Sequence, residues 1–324
     1  MFGTYRFRKK IEQIILGSYG KHIKKKISRV ILGHSGWSAR FLRYPFPFLR
    51  PWKRNIIDIS RDAGVGDVLL CTPAMREIKL RNPKIRIRFY TDLPELVYGL
   101  SYIDEVLPIK NLSKSVIKLK YENMTPIRVH LSRFFGDCLG IYVKNVIPDC
   151  VVKKELVSYY KHLFNNKKTI VILLRASRYT PNKDWPLEYW DKLIENISQQ
   201  YKIVIIGSGL TSEEESIKSI NRCMDLRGKT SLEEMAAVIA ASDMYIGPIS
   251  GPYHIAAAVG IPSIAVSGGF EHPENTRYPK SIIFSSDLSC APCWLRTECP
   301  NSKECLTTIL PIDVEKVVLT LMPN

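Results

Sequence analysis

The 324-residue sequence contains no run of roughly 18 apolar residues, the length that a membrane-spanning helix requires. Its first residues carry charge but neither an apolar stretch nor a small-residue cleavage site, which argues against a secretory leader. Acids are nearly missing from residues 1–54, where Glu12 is the single one. We therefore expect a cytoplasmic, globular chain of about two domains with one strongly basic end.

The basic end comprises residues 1–54, which hold fourteen Lys and Arg residues and so carry most of the net charge of +16. Aliphatic residues between them recur at spacings that give a helix one apolar face, and a proline-broken aromatic stretch, Tyr44–Trp52, follows. This pattern predicts a segment lying on an anionic membrane surface. Nucleic acid is the less favoured partner, because no DNA- or RNA-binding motif accompanies the charge. The remaining alternative is a solvated helix packed on the main body.

From residue 55 onward, short apolar strands alternate with helices, which predicts parallel sheets covered by helices on both faces. Two such halves place ligands in the crevice at the carboxyl ends of the strands. The predicted strands are 55–60, 85–90, 103–108, 169–174, 202–207, 244–246 and 263–266. The predicted helices are 68–81, 94–99, 127–139, 155–167, 187–199, 213–220, 231–241 and one that starts near Pro252 and stops at Gly260.

The turn Ser250-Gly251 precedes the small-residue helix that starts near Pro252. Its backbone N–H groups and the helix dipole together form a site for an anion, most often a phosphate. An ordinary βαβ turn explains the same residues equally well. His254 lies on this helix, where a hydrogen-bonded histidine is a better interpretation than a catalyst.

The turn Gly64-Val-Gly-Asp67 lies between a predicted strand and a predicted helix. A carboxylate at that position can act as general base on a hydroxyl. Asp is also a favoured helix cap, and on local grounds capping is the better interpretation of Asp67. The two glycines lack the third that a dinucleotide-binding fingerprint needs.

Two further loops follow strands of the second half. In the first, Arg178 and Lys183 could neutralise a diphosphate leaving group, although solvated surface charge explains Arg178 as well. In the second, Gly207 and Ser208 open a glycine turn that could approach a phosphate or a ribose, or could be only a turn.

Four of the eight cysteines fall within sixteen residues, which we call the cysteine loop (residues 290–305). In a cytoplasmic chain such a cluster favours a bound metal over disulfides, and also over free thiols. Tetrahedral zinc or a single iron ion would suit four thiolates. The predicted ligands are Cys290, Cys293, Cys299 and Cys305.

Three segments, taken in order, resemble the ADP-heptose lipopolysaccharide heptosyltransferases, glycosyltransferase family 9. They are Gly66–Arg76 with the following Asn82-Pro83, Asp225–Asp243, and Ser250–Pro262. The resemblance implies a GT-B fold, in which two Rossmann-like α/β domains face a cleft. It places an acceptor domain at 55–160, a nucleotide-sugar domain at 161–310 and a helix packing back at 311–324.

The same resemblance implies roles for individual residues. Asp67 matches the catalytic aspartate and would take the proton of the acceptor hydroxyl, which reverses the local interpretation. Lys183, Ser250 and Gly251 match donor-binding positions, and no catalytic metal is required. We assign each remaining candidate to one of the two substrates. The candidates for donor binding are Arg178, Gly207, Ser208, Pro252 and His254, and those for acceptor binding are Arg61 and Gly66.

One position departs from the family pattern: Ile249 stands where most members have Asp. Residues 267–275 and Trp294 after Cys293 are similar to the protein-modifying autotransporter heptosyltransferases, which also lack that Asp and hold iron or zinc in a cysteine cluster. The acceptor stays open between a protein hydroxyl, a lipid-linked glycan and a lipopolysaccharide core. Two hypotheses follow: an inverting transferase that takes heptose from an ADP-activated donor at the inner face of the bacterial inner membrane, or a catalytically silent GT-B scaffold that binds nucleotide or glycan.

Overall fold

The computed structural model describes residues 55–121, 127–176, 180–209 and 217–323, all within one compact unit of the chain. The predicted basic segment 1–54, the candidate Arg178 and the first part of the predicted helix 213–220 lie outside the described residues. Within the described residues, no helix is both long and apolar enough to cross a membrane.

The first half forms a parallel sheet of four strands in the order β3-β2-β1-β4. Its strands are β1 (Ile56–Ser60), β2 (Arg86–Tyr90), β3 (Glu105–Leu107) and β4 (Ile117–Lys118). Its helices are α1 (Val65–Arg81), α2 (Leu131–Cys138) and α3 (Lys154–Leu163), with 3-10 turns at Pro94–Leu96 and Ile109–Asn111.

The second half forms a parallel sheet of six strands in the order β10-β9-β8-β5-β6-β7. Its strands are β5 (Thr169–Leu173), β6 (Lys202–Ile206), β7 (Met224–Asp225), β8 (Met244–Gly247), β9 (Ser263–Gly268) and β10 (Ser281–Ser285). Its helices are α4 (Leu187–Ile197), α5 (Leu232–Ala241), α6 (Gly251–Val259), α7 (Glu304–Thr307) and α8 (Pro311–Leu321), with 3-10 turns at Pro181–Lys183, Lys218–Arg222 and Pro273–Asn275.

The differences from the predicted elements have local causes. The helix predicted over 127–139 begins only at Leu131, because the His130 side chain caps it by accepting from the backbone N–H of Ser132 at 3.2 Å. Where the predicted helix 213–220 enters the described part of the chain, the structure has the 3-10 turn Lys218–Arg222. The backbone N–H of Ser219 donates there to the Asp191 carboxylate at 2.8 Å. The edge strand β10 was not predicted, because its residues are half-exposed and lack a clear alternation.

The last helix, α8, packs on α4 of the second half. Val314 and Val318 enter the apolar core under the six-stranded sheet, alongside Trp185 and Trp190. The Trp185 indole N–H donates to the carbonyl of Ile309 at 3.0 Å, which satisfies its polar atom inside that core. The end of the chain therefore belongs to the second sheet's core, and the loop that carries Lys183 is anchored beside it.

Candidate active site

The starts of helices α1 and α6 come together at the carboxyl ends of β1 and β8. A Cβ atom on Gly66 would lie 2.5 Å from Cδ2 of His254, and one on Gly251 would lie 2.8 Å from Cβ of Val65. The two helix starts can approach this closely because Gly66 and Gly251 have no Cβ atom. Neither start has a side-chain cap hydrogen bond, since Gly64 precedes α1 and Ser250 precedes α6 without one. Two sets of backbone N–H groups therefore converge, which favours an anion at this place.

Asp67 lies in the first turn of α1, and its side chain is 23% exposed. Its carboxylate accepts a hydrogen bond at 2.7 Å from the buried guanidinium of Arg61, which also donates to the carbonyl of Leu119 at 2.8 Å. The same guanidinium lies 5.0 Å from the ring centroid of Tyr121. Asp67 is thus an oriented carboxylate open to one side. The capping interpretation of Asp67 is wrong, because the N-cap position of α1 is Gly64, and the Asp67 side chain makes no cap hydrogen bond but binds Arg61.

Tyr121 stands next to Asp67 and is a residue that the sequence analysis missed. Burial raises the pKa of the Tyr121 hydroxyl, and the negative charges of Asp67 and Glu271 raise it further. The hydroxyl therefore stays protonated and hydrogen-bonds to Asp67. No local motif marks Tyr121, because its contacts are with distant parts of the chain.

Lys183 approaches the start of α6 from the loop after β5. Its ammonium group donates to the Glu271 carboxylate at 2.5 Å and to the carbonyl of Ile249 at 3.1 Å, and it lies 4.8 Å from the Phe270 ring centroid. Because Ile249 directly precedes Ser250, this ammonium group stands beside the converging N–H groups. The Lys183 side chain is 16% exposed, so water screens its positive charge less than it would at the surface.

The loop that carries Lys183 is held by the cysteine loop. Thr180 caps the 3-10 turn by accepting from the backbone N–H of Asn182 at 3.1 Å. The Asn182 side-chain amide donates to the carbonyls of Leu295 and Thr297, at 2.8 Å and 2.7 Å. The position of Lys183 therefore depends on the cysteine loop, which a reading of the sequence did not reveal.

An aromatic bridge of Tyr121, Trp294 and Phe270 joins the two sides of the site. The Tyr121 and Trp294 ring centroids are 6.1 Å apart, and those of Trp294 and Phe270 are 5.4 Å apart. Offset and edge-on ring pairs at these distances are favourable contacts. The bridge runs from the guanidinium that holds Asp67 to the ammonium group of Lys183, so it connects the two charged groups through packed rings.

The model of Glycosyltransferase family 9 (heptosyltransferase) matches residues 111–304, which is more than half of the chain. The chain belongs to this family. Lipooligosaccharide heptosyltransferase 2 of Campylobacter jejuni serotype O:2 is 26% identical over 176 residues, which cover 50% of this chain and 54% of that protein. The chain thus spans about half the length of this relative. Lipopolysaccharide heptosyltransferase 3 of Escherichia coli K12 is 28% identical over 331 residues, which cover 80% of this chain and 96% of that protein.

Solved structures confirm the predicted GT-B α/β fold for this family 9 chain. A family 9 glycosyl transferase from Veillonella parvula superposes with a TM-score of 0.66 at 17% identity, covering 84% of this chain and 98% of that one. The dodecameric iron-containing heptosyltransferase TibC, in complex with ADP-D-beta-D-heptose, superposes with a TM-score of 0.61 at 18% identity, covering 83% of this chain and 76% of that one. TibC comes from enterotoxigenic E. coli H10407.

The other site residues predicted for this family 9 chain lie at different distances from the gap. His254 is fully buried between Gly66 and Tyr278, and its Nδ1 hydrogen-bonds to the Tyr278 hydroxyl at 2.7 Å. Burial lowers its pKa to about 3, so its ring is neutral where it packs between the two helix starts. Pro252 is buried in the first turn of α6. Gly207 and Ser208 follow β6, which is separated from β8 by β5.

The cysteine loop of this family 9 chain carries the four predicted metal ligands as free thiols. Burial raises the pKa of the Cys305 thiol, and the nearby Cys293, Cys299 and Cys290 raise it further. The other three thiols therefore lie within electrostatic reach of Cys305. In the part of the chain that the structure describes, however, no three His, Cys, Asp or Glu side chains are close enough to hold an ion. The four predicted ligands thus stay a prediction, and the chemistry of four thiols suits zinc or iron.

Proposed function

We propose that this protein is an inverting glycosyltransferase that moves a heptose from ADP-heptose to a hydroxyl of an acceptor. The observation that carries the proposal is the meeting of two uncapped helix starts, with Asp67 on one side and Lys183 on the other. The names of its relatives, which are heptosyltransferases, and the ADP-heptose bound to TibC support the choice of donor.

In this proposal the backbone N–H groups at Ser250 and Gly251 bind the diphosphate, and Lys183 adds a positive charge beside it. The acceptor oxygen attacks the anomeric carbon from the face opposite the diphosphate, and its proton passes to the Asp67 carboxylate. The new C–O bond forms as the bond to the phosphate oxygen breaks. The electron pair leaves with ADP, whose growing charge the N–H groups and Lys183 stabilise. Arg61 and Tyr121 keep the receiving carboxylate aimed at the gap.

The test is a transfer assay that measures ADP release and heptose attached to an acceptor. We expect ADP and glycosylated acceptor to appear in equal amounts with ADP-heptose. Binding of the nucleotide without ADP release from any ADP- or UDP-sugar would contradict the proposal and would support the silent GT-B scaffold.

We also propose that the chain lies nearer the protein-modifying subgroup than the lipopolysaccharide enzymes. Ile249 before Ser250 and the cysteine loop with Trp294 support this choice. Matched assays with a serine-rich protein acceptor and with a lipopolysaccharide core acceptor separate the two. Transfer to the core alone would contradict the subgroup assignment.

Metal binding by the cysteine loop belongs to the same proposal. Because four thiols lie in one loop whose Leu295 and Thr297 hold Asn182, an ion that draws the thiols together would stiffen the support of Lys183. We expect elemental analysis of protein purified with reductant to give about one equivalent of zinc or iron. Cys293→Ser should lose it, whereas Cys223→Ser, outside the loop, should keep it. Equal metal content in the two variants would contradict the site.

We propose further that residues 1–54 dock the enzyme on the cytoplasmic face of an anionic membrane. The support is the sequence alone: fourteen cations and an aliphatic helical pattern. In flotation with vesicles rich in anionic lipid, the full chain should bind and a chain starting at residue 55 should not. Equal flotation of both chains would contradict the proposal that residues 1–54 bind the membrane.

A further inference from the structure

We propose that Glu271 is the specificity-determining carboxylate of the donor site: it accepts a hydrogen bond from a hydroxyl of the bound sugar and disfavours free nucleoside diphosphate. This inference rests on the proposed function and deepens it. It concerns a residue that none of the sequence motifs marked. Three observations carry it: the fixed backbone that precedes Glu271, its single hydrogen-bonding partner among the described residues, and its place near the Tyr121 hydroxyl that Asp67 binds.

Glu271 is held firmly at the carboxyl end of β9, next to β8 and the start of α6. The chain turns at Gly268, which has a φ of +57°. The carbonyls of Gly269 and Phe270 then accept from the backbone N–H groups of Cys293 and Trp294, both at 3.0 Å. Hydrogen bonds thus hold the backbone just before Glu271, so the position from which its side chain starts is fixed.

The Glu271 side chain is 4% exposed and binds Lys183 at 2.5 Å through one carboxylate oxygen. Among the described residues, Lys183 is its one hydrogen-bonding partner. A carboxylate has about four acceptor positions, and the bond from Lys183 to one oxygen leaves room for a hydroxyl donor. A buried carboxylate with spare acceptor capacity beside a diphosphate site is suited to a polyhydroxylated ligand.

Glu271 also lies near the part of the site that holds Asp67. The rings of Tyr121, Trp294 and Phe270 form a chain of contacts that ends at the residue before Glu271, and the charges of both carboxylates act on the buried hydroxyl of Tyr121. Asp67 comes from the first half of the chain and Glu271 from the second. A sugar attached to a diphosphate at Ser250 and Gly251 would therefore lie near both carboxylates, because Lys183 joins Glu271 to the carbonyl of Ile249, directly before Ser250. We assign the first to the incoming hydroxyl and the second to a hydroxyl of the sugar itself.

The charge of Glu271 distinguishes the donor from the product. Free ADP carries about one more negative charge than a sugar diphosphate, because its terminal phosphate is not esterified. A buried carboxylate paired with Lys183 repels that extra charge and offsets part of the attraction that Lys183 exerts on it. Glu271 therefore favours a donor with its sugar in place and favours release of ADP after the transfer.

The experiment is a pair of binding titrations, with ADP and with ADP-heptose, on the full chain. For Glu271→Gln we expect ADP to bind about fivefold tighter and ADP-heptose about tenfold weaker, because one repulsion and one charged hydrogen bond are removed. The ratio of the two dissociation constants then changes by more than tenfold. The matched control is Glu105→Gln, which removes an equally short but exposed ion pair to Arg86 on the other sheet. We expect no change in its ratio.

If Glu271 has only a structural role, Glu271→Gln should weaken the binding of both ligands alike and leave the ratio of dissociation constants within twofold of wild type. That result would overturn the inference. If Glu271→Gln melts too early to titrate, Glu271→Asp replaces it. That variant keeps the negative charge but has a shorter side chain, so ADP-heptose should bind more weakly while the affinity for ADP stays unchanged. An equal change in both affinities would contradict the inference. Failure of the proposed function is distinguishable, because wild type itself would then release no ADP from ADP-heptose.

Discussion

Replacing Asp67 with Asn should lower kcat for heptose transfer by about a thousandfold, within the range of a lost general base. The amide keeps the shape of the side chain but cannot take the proton of the acceptor hydroxyl. Binding of ADP-heptose should change less than about threefold, because Lys183 and the start of α6 hold the donor. A transfer assay and a donor titration measure the two quantities separately.

The matched control is Asp62→Asn, an exposed acid in the same turn that has no role in the site. We expect wild-type kcat from it. The Asp67 variant removes one negative charge beside the Arg61 guanidinium, which is 1% exposed, so melting temperatures must be measured beside the rates. A folded Asp67→Asn protein with more than a tenth of wild-type kcat would show that another group removes the proton.

Adding a methyl group at Gly66 should disrupt both stability and activity. A Cβ there would lie 2.5 Å from Cδ2 of His254, whose ring is fixed by its hydrogen bond to Tyr278. The helix starts must separate to admit it, at a cost of about 1–3 kcal/mol in the free energy of unfolding. Because the gap between the starts is the anion site, we expect kcat/KM for the donor to fall by about a hundredfold. Thermal unfolding and steady-state kinetics check the two effects.

Gly64→Ala is the matched control for this prediction, since it adds the same methyl group two residues earlier. Its Cβ would meet only a carboxylate oxygen of Asp67, at 3.9 Å, and its φ of −66° suits any residue. We expect little change in its melting temperature. Equal destabilisation of the two variants would mean that the close approach of α1 and α6 is not what Gly66 provides.

The strands could be predicted from the sequence because apolar runs such as Thr169–Leu173 are bounded by turn residues. Both ends of α6 could be predicted too, since Pro252 marks its first turn and Gly260 marks its stop. Gly260 has a φ of +78° in the structure, as expected for a helix stop. These signals act within a few residues, and the fold class followed from their order.

The interior of the site could not be predicted in the same way. Lys183 and Glu271 are 88 residues apart, and nothing in either segment indicates that they pair. Local reasoning assigned Asp67 to capping because it considered only the nearest helix start, whereas the carboxylate binds Arg61, which precedes the turn. Tyr121 and Trp294 meet across the two halves, so their contact depends on how the sheets are arranged. The cysteine spacing predicted a metal, but spacing does not fix whether thiols converge.

The most direct test of the central claim is a crystal structure of the Asp67→Asn protein with ADP-heptose. We expect the diphosphate to lie on the backbone N–H groups at Ser250 and Gly251, within reach of Lys183. We also expect the anomeric carbon of the heptose to face the side chain at position 67. A diphosphate bound elsewhere, or a heptose turned away from position 67, would contradict it.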